Sequence, residues 1–172
     1  MPTVPFIHDR STVARRRQIW NRTIDECYAR KPKSAVFSDL SEQSVEQWQT
    51  EWERTTKGVI TNFFFPKIAD RLKLKISATP KFTAIITGHG NIRTYLDKYK
   101  ITESPVCSCD EGDQSVDHII YEWKLFDQER TKLKAMVERT NKWPVSSDKL
   151  SVQFYRHFKE FTDNISMDKV QE

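Results

Sequence analysis

Glycine is scarce in this chain, with four in 172 residues, while 30% of its residues are charged. That combination disfavours turn-dense β architectures and points to helices joined by polar loops, so the expected fold class is mainly α. Long apolar runs are missing too. None approaches the roughly 20 residues that a membrane-spanning helix needs, so no membrane partner is expected. The opening Met1-Pro2-Thr3-Val4-Pro5 has neither the basic stretch nor the apolar core of a secretory signal, which makes an intracellular, reducing compartment the expectation, nucleus or cytoplasm. Cysteine is sparse, at three. In such a compartment these read as thiols or metal ligands: Cys27 is remote in sequence, and a Cys107–Cys109 bridge would close a strained, tiny loop.

The main catalytic motifs are also lacking. Polymerisation needs paired aspartates holding magnesium, and hydrolysis of RNA in a hybrid needs carboxylates clustered around two metals. Neither pattern is present, nor is a Gly-rich phosphate loop or a supported Ser-His-Asp or Cys-His arrangement. A catalytic role for His89, between Gly88 and Gly90, is outweighed by a structural one at a helix end. The chain alone is therefore expected not to be an enzyme.

What is present is enough to build a core: 37% hydrophobic residues, including ten Phe and five Trp. Periodicity predicts helices almost throughout. Ser11 caps a first helix with Val13, Trp20, Ile24 and Tyr28 on one face, stopped by Pro32. Ser44 and Gln47 form a capping box for a second, carrying Val45, Trp48 and Trp52. Asn62 to Pro66 reads as a buried extended segment before a short helix around Ile68 to Leu72. Thr79-Pro80 opens a helix through Ile85, Ile86 and His89, which Gly88 and Gly90 end before another through Tyr95 and Tyr99. After Ser115 as cap the pattern resumes through His118, and Phe126, Leu133, Met136 and Val137 mark a long helix ending before Pro144. A last amphipathic helix carries Leu150, Phe154, Phe158 and Phe161.

The expected division is a basic N-terminal helix and linker over residues 1–34, a compact multi-helix domain over 35–164, and a frayed tail over 165–172. Residues 31–40 are the best linker candidate. Tryptophans at helical spacing are read as core first, although Trp48, Trp52, Trp20, Tyr95 and Tyr99 also suit base stacking.

The net charge is +4 and unevenly spread. Arg15, Arg16, Arg17 and Arg22, with Arg10, Arg30, Lys31 and Lys33, crowd the N-terminal end. Such a cluster either meets the phosphates of RNA or DNA, weakly and with strong salt dependence, or is simply a solvated face.

The most specific signal lies in the centre. Cys107-Ser108-Cys109 followed by Asp117-His118-Ile119-Ile120 supplies three ligands of a small zinc knuckle, but zinc normally takes four. Trp123 stands where the fourth ligand belongs. Two readings stay open. In one, zinc binds with Asp110, Asp113, Asp117, Glu122, His89 or water completing the set. In the other the site has lapsed: the cysteines are small apolar residues, His118 is hydrogen-bonded at a helix start, and Trp123 fills the vacated volume. In both, the fold is expected to stand without metal.

Taken in order, Trp48-Gln49-Thr50-Glu51-Trp52, Lys57-Gly58, Thr87-Gly88-His89-Gly90, Tyr95-Leu96, the degenerate knuckle of residues 107–123 and Arg130 resemble the C-terminal, zinc-knuckle region of arthropod non-LTR retrotransposon Pol polyproteins. That region lies beyond their reverse-transcriptase and RNase H-like domains. The resemblance spans about the middle half of the chain. It implies a non-catalytic role in holding RNA or target DNA near the polymerase during target-primed reverse transcription, with the reverse-transcriptase domains of the same polyprotein as partners. The alternative is a domesticated or decayed fragment acting as a helical protein-interaction module.

Overall fold

The computed structural model describes residues 32–166. Arg15, Arg16, Arg17, Arg22, Trp20 and Cys27 lie outside the described residues, as does the tail from residue 167. The chain divides into two units, residues 1–44 and 45–172. Of the first, the described part is helical and exposes Val36, Phe37 and Leu40. The rest of the fold belongs to the second.

The described elements are helical, as expected. They are α1 (Lys33–Arg54), α2 (Val59–Phe64), α3 (Ile68–Lys73), α4 (Pro80–Thr87) and α5 (Arg93–Lys98), then a π-turn (His118–Glu122), a 3-10 turn (Lys124–Phe126), α6 (Asp127–Val137), α7 (Ser147–Val152) and α8 (Tyr155–Asn164). Among the described residues the only extended pairing is an isolated antiparallel bridge between Val106 and Asp113.

Residues 33–40, which composition marks as a linker, are helical. The Pro32 carbonyl accepts from Ala35 and Val36 N–H at 2.8 and 3.1 Å, starting α1 there rather than at Ser44. Ser44 instead turns its hydroxyl back onto the Leu40 carbonyl at 2.7 Å, a mid-helix arrangement that sequence alone does not separate from a cap.

The tryptophan helix is not a core helix. Trp48 is 48% exposed, and α1 has no buried residue. Its Gln49 and Trp52 do a different job. Gln49 donates to the Pro66 carbonyl at 2.9 Å and accepts from Ile68 N–H at 2.8 Å, while the Trp52 indole donates to the Phe65 carbonyl at 2.8 Å. Together they satisfy the backbone of the bend between α2 and α3. That bend is also where the expectation of an extended 62–66 segment fails. Pro66 restricts only Phe65, so the helix runs on to Phe64, burying Phe64 and leaving Phe63 66% exposed.

The core is aromatic. α8 packs against α4, α6 and α7, and α2 against α4 and α7. Phe158 stacks on Phe64 at 5.6 Å and meets Phe82 edge-on at 6.0 Å, so one α8 side chain ties three helices together. The expected final helix is split at Phe154, yet Leu150, Phe154, Phe158 and Phe161 are all buried. Ile165, assigned to the tail by sequence, is buried as well. Asp163 locks α8 to the start of α4, accepting from the Thr79 hydroxyl at 2.6 Å while its carbonyl accepts from Lys81 at 2.9 Å. Burial raises the affinity of that carboxyl for its proton, but the Lys159 and Thr79 bonds more than offset this and its pKa falls.

α4 follows its sequence signals. The Thr79 hydroxyl accepts from Phe82 N–H, Pro80 occupies the first turn, and Gly88 closes the helix at φ 68°. Gly88 is required twice over, because a Cβ there would sit 2.2 Å from Cδ1 of Ile60 on α2. Gly88→Ala is therefore expected to lower unfolding free energy by about 2–4 kcal/mol, the left-handed strain adding to the repacking of Ile60. Urea midpoints check this; a loss under about 0.5 kcal/mol, the range of an ordinary surface change, contradicts it.

Candidate metal centre and its support

The knuckle loop forms as a tight hairpin. Cys107 N–H donates to the Gly112 carbonyl at 2.8 Å, Asp110 N–H to the Cys107 carbonyl at 3.0 Å, and Gln114 N–H to the Pro105 carbonyl at 2.8 Å. Asp110 and Gly112 take the left-handed conformations that the turn demands, at φ 57° and 128°. Ser115 then accepts from His118 N–H at 3.1 Å, aiming the ring back at the hairpin.

Cys107, Cys109 and His118 converge as their spacing suggests. Their ligand atoms all lie within 4.8 Å of one another, and they are the group of this kind found among the described residues. His118 Nε2 lies 3.2 Å from the Cys109 sulfur, and its Nδ1 lies 3.0 Å from a Glu122 oxygen. This decides among the fourth-ligand candidates. Glu122 holds the far ring nitrogen, the place of a carboxylate that orients a ligating histidine. Asp110, Asp113 and Asp117 do not join the cluster, and His89 is exposed on another loop, its ring tilted against that of Tyr95 at 4.7 Å. The expectation that His89 continues an apolar face is corrected accordingly.

The donor set of two sulfurs and an imidazole is one that could hold a metal ion and fits zinc, with Nε2 of His118 as the nitrogen ligand. Burial pushes the Cys107 thiol up. At Cys109 burial acts the same way, but the bonds from the Glu111 backbone, Cys107 and His118 outweigh it and the thiol falls below its ordinary value. Burial likewise disfavours a charged His118, and Glu122 with Cys109 overcomes it, raising the imidazole. Cys109 is thus disposed to the thiolate that a metal needs.

Trp123 occupies the vacated corner, 3% exposed, facing the His118 ring at 6.3 Å and Phe126 edge-on at 4.9 Å. It also breaks the helical pattern expected between Ser115 and Val137. Trp123 N–H reaches the His118 carbonyl at 2.8 Å and its own backbone turns extended (φ −61°, ψ 116°), leaving the carbonyls just before it without helical donors.

Arg130 supplies those donors. Only 7% exposed, it gives Nε to the Ile120 carbonyl at 2.8 Å and Nη2 to the Ile119 carbonyl at 3.3 Å and to that of Trp123, with Nη1 on Asp127. Gln114, fully buried, makes the other tie: its side chain accepts from Arg93 N–H at 2.9 Å and its carbonyl from the Thr94 hydroxyl at 3.1 Å, fastening the hairpin to the start of α5. Sequence reading gave neither residue this part. Nothing but the fold itself marks Gln114, and Arg130 was visible only through its place in a motif.

Comparison with known proteins finds relatives among retrotransposon Pol polyproteins. The chain is 26% identical over 101 residues to a retrovirus-related Pol polyprotein from the type-1 retrotransposable element R1 of Popillia japonica, covering 58% of this chain and 40% of that protein. The corresponding R1 polyprotein of Bradysia coprophila is 28% identical over 92 residues (53% and 9%), and an R1 polyprotein of Nasonia vitripennis 26% over 110 (62% and 29%). The chain is related to retrotransposon Pol polyproteins. It spans less than half the length of these relatives. No protein-family profile matches the chain, and no solved structure does. No helix among the described residues is long and apolar enough to cross a membrane.

Because the hairpin, the Arg130 bonds and the Trp123 ring are all protein-supplied, chelation is expected to leave the helical circular dichroism and melting temperature of the purified chain essentially unchanged. A structural zinc site contributes on the order of 10 kcal/mol, so its loss would not pass unnoticed. Cooperative collapse on chelation, with one zinc per chain, contradicts this. Trp123→Cys is expected to tighten zinc binding while lowering metal-free stability by about 3–5 kcal/mol, the cost of truncating a buried tryptophan.

Proposed function

We propose that this chain is a non-catalytic, nucleic-acid-binding region of retrotransposon Pol type, which assists target-primed reverse transcription by holding RNA or target DNA beside the reverse-transcriptase domains of its parent polyprotein. The observation that carries the reading is the relation to R1 Pol polyproteins over about half the chain. The Cys107, Cys109 and His118 cluster supports it as the remnant of a knuckle, with zinc a permitted rather than a required ligand. Primer extension or cleavage of hybrid RNA by the rigorously purified chain would overturn the non-catalytic part.

A second reading has one observation in its favour. Trp48, half-exposed above the partly covered Trp52, is an aromatic ledge on the second unit that the core does not use. In a decayed or domesticated fragment that ledge suits a protein partner.

Phosphate contacts decide between the two. The basic N-terminal segment is expected to bind nucleic acid weakly and without strong sequence preference, log affinity falling against log salt by about 0.9 per neutralised phosphate on duplex DNA. Alanine at Arg15, Arg16 and Arg22 together is expected to weaken binding alike for all sequences and to flatten the slope by roughly three units or less. Salt-dependent anisotropy titrations measure this. If the triple variant binds as the parent does, or nothing binds at low salt, the protein-interaction reading leads.

A further inference from the structure

Beside the knuckle the second unit carries a run of three contacting rings, each tilted against the next. His89, in the loop after α4, lies 4.7 Å from Tyr95, and Tyr95 lies 4.8 Å from Tyr99, the residue that caps the end of α5, with ring planes inclined at 48° and 54°. The inner ring is anchored: Tyr95 is partly buried against the core. The outer two are not, His89 being exposed and Tyr99 57% exposed. Burial does not account for the outer two rings, which are held against Tyr95 yet face solvent.

The rigid elements on either side fix the run in place. Gly88 ends α4 in a left-handed cap whose geometry sets His89, with its N–H on the Ala84 carbonyl at 3.1 Å. At the other end, Lys100 takes a left-handed conformation at φ 58° and Ile101 N–H returns to the Leu96 carbonyl at 2.9 Å, closing α5 directly after Tyr99. Cations border the rings. Lys98 Nζ sits 6.0 Å from the Tyr99 centroid, exposed Lys100 pairs loosely with Asp97 at 3.6 Å, and the Arg93 guanidinium reaches the Val106 carbonyl of the knuckle hairpin at 3.4 Å.

We infer that the His89, Tyr95 and Tyr99 ladder is a stacking platform for unpaired bases of single-stranded nucleic acid, with Arg93, Lys98 and Lys100 lying along its phosphates. A base offers the same kind of flat face whether the sugar is ribose or deoxyribose, so RNA and DNA strands both suit it, and a duplex, whose bases are stacked on one another, does not. Three cations set against Asp97 and Glu103 leave little net charge here. Affinity from this surface therefore comes mainly from stacking, with a shallow salt dependence. This deepens the nucleic-acid reading above and rests on it, yet the two fail separately: the N-terminal arginines act on duplex and single strand alike through the salt slope, whereas the ladder acts on single strands.

The test is anisotropy at low salt with the full chain, using labelled twelve-nucleotide oligo-dT and oligo-U and a twelve-base-pair duplex, for the parent, Tyr99→Ala and Tyr99→Trp. Alanine is expected to lower single-strand affinity roughly five- to hundredfold, the range for loss of one stacked base, with less than about twofold change for the duplex. Tryptophan is expected to restore or exceed parental binding. Tyr99 is exposed, so unchanged melting temperatures verify that the fold is intact. Single-strand binding unaffected by Tyr99→Ala, equal losses on duplex and single strand, or failure of Tyr99→Trp to restore binding would each overturn the platform.

Discussion

A single buried guanidinium holds the functional half of this molecule in shape. The chain between Val116 and Asp127 is too irregular to satisfy its own backbone fully: the π-turn and the extended Trp123 leave the carbonyls of Ile119 and Ile120 without helical donors, while that of Trp123 accepts from Phe126 N–H at 3.1 Å in the 3-10 turn. Arg130 bonds all three. Each such bond to a charged donor is worth about 1.5–3 kcal/mol, and the Ile119 and Ile120 carbonyls left bare would cost comparable amounts in desolvation. Burial works against the charge, and Asp127, on the next turn of the same helix, offsets part of that penalty. The planar fork suits arginine to the place: its Nε and Nη donors are spaced apart to meet separate carbonyls, whereas lysine's three donors sit on one compact nitrogen.

The degenerate knuckle follows from that constraint. With the 118–123 backbone fixed, His118 is aimed at Cys109, Glu122 is left to orient its far nitrogen, and the Trp123 ring closes the corner where a fourth ligand would stand. Packing and hydrogen bonds supplied by the protein are expected to hold this loop, and Cys107, Cys109 and His118 form within it a group that could hold a metal ion. The same rigidity reaches α5 through Gln114, so the knuckle and the helix carrying Tyr95 and Tyr99 share one framework.

How far the sequence spoke depends on whether the signal was local. Thr79-Pro80, Gly88 and the heptad-like spacing through Phe158 and Phe161 each act within one turn of helix, and the structure bears them out. So does the convergence of Cys107, Cys109 and His118, because a hairpin plus a capped turn brings them together without help from afar. Misreadings came where distant groups decide. Ser44 looks like a cap until Pro32 starts the helix earlier. Trp48 looks buried until Gln49 and Trp52 turn out to serve the Phe65–Ile68 bend from one side only. Periodicity runs straight through Trp123, since a helix broken by an arginine seven residues on and an unbroken one leave the same apolar pattern. The arginines expected to meet phosphates, Arg15, Arg16, Arg17 and Arg22, lie outside the residues the structure describes.

The claim that the protein itself, and not a metal, holds the knuckle is tested most directly by amide hydrogen exchange. The amides of Cys107, Gln114 and Trp123 report the hairpin and the turn that Arg130 supports, and their exchange is measured in metal-free protein and again with one equivalent of zinc. The expected result is protection in the metal-free state comparable to that of α8, changed little by zinc. Rapid exchange of these three amides until zinc is added, with α8 protected throughout, would contradict it and make the metal the organiser of the site.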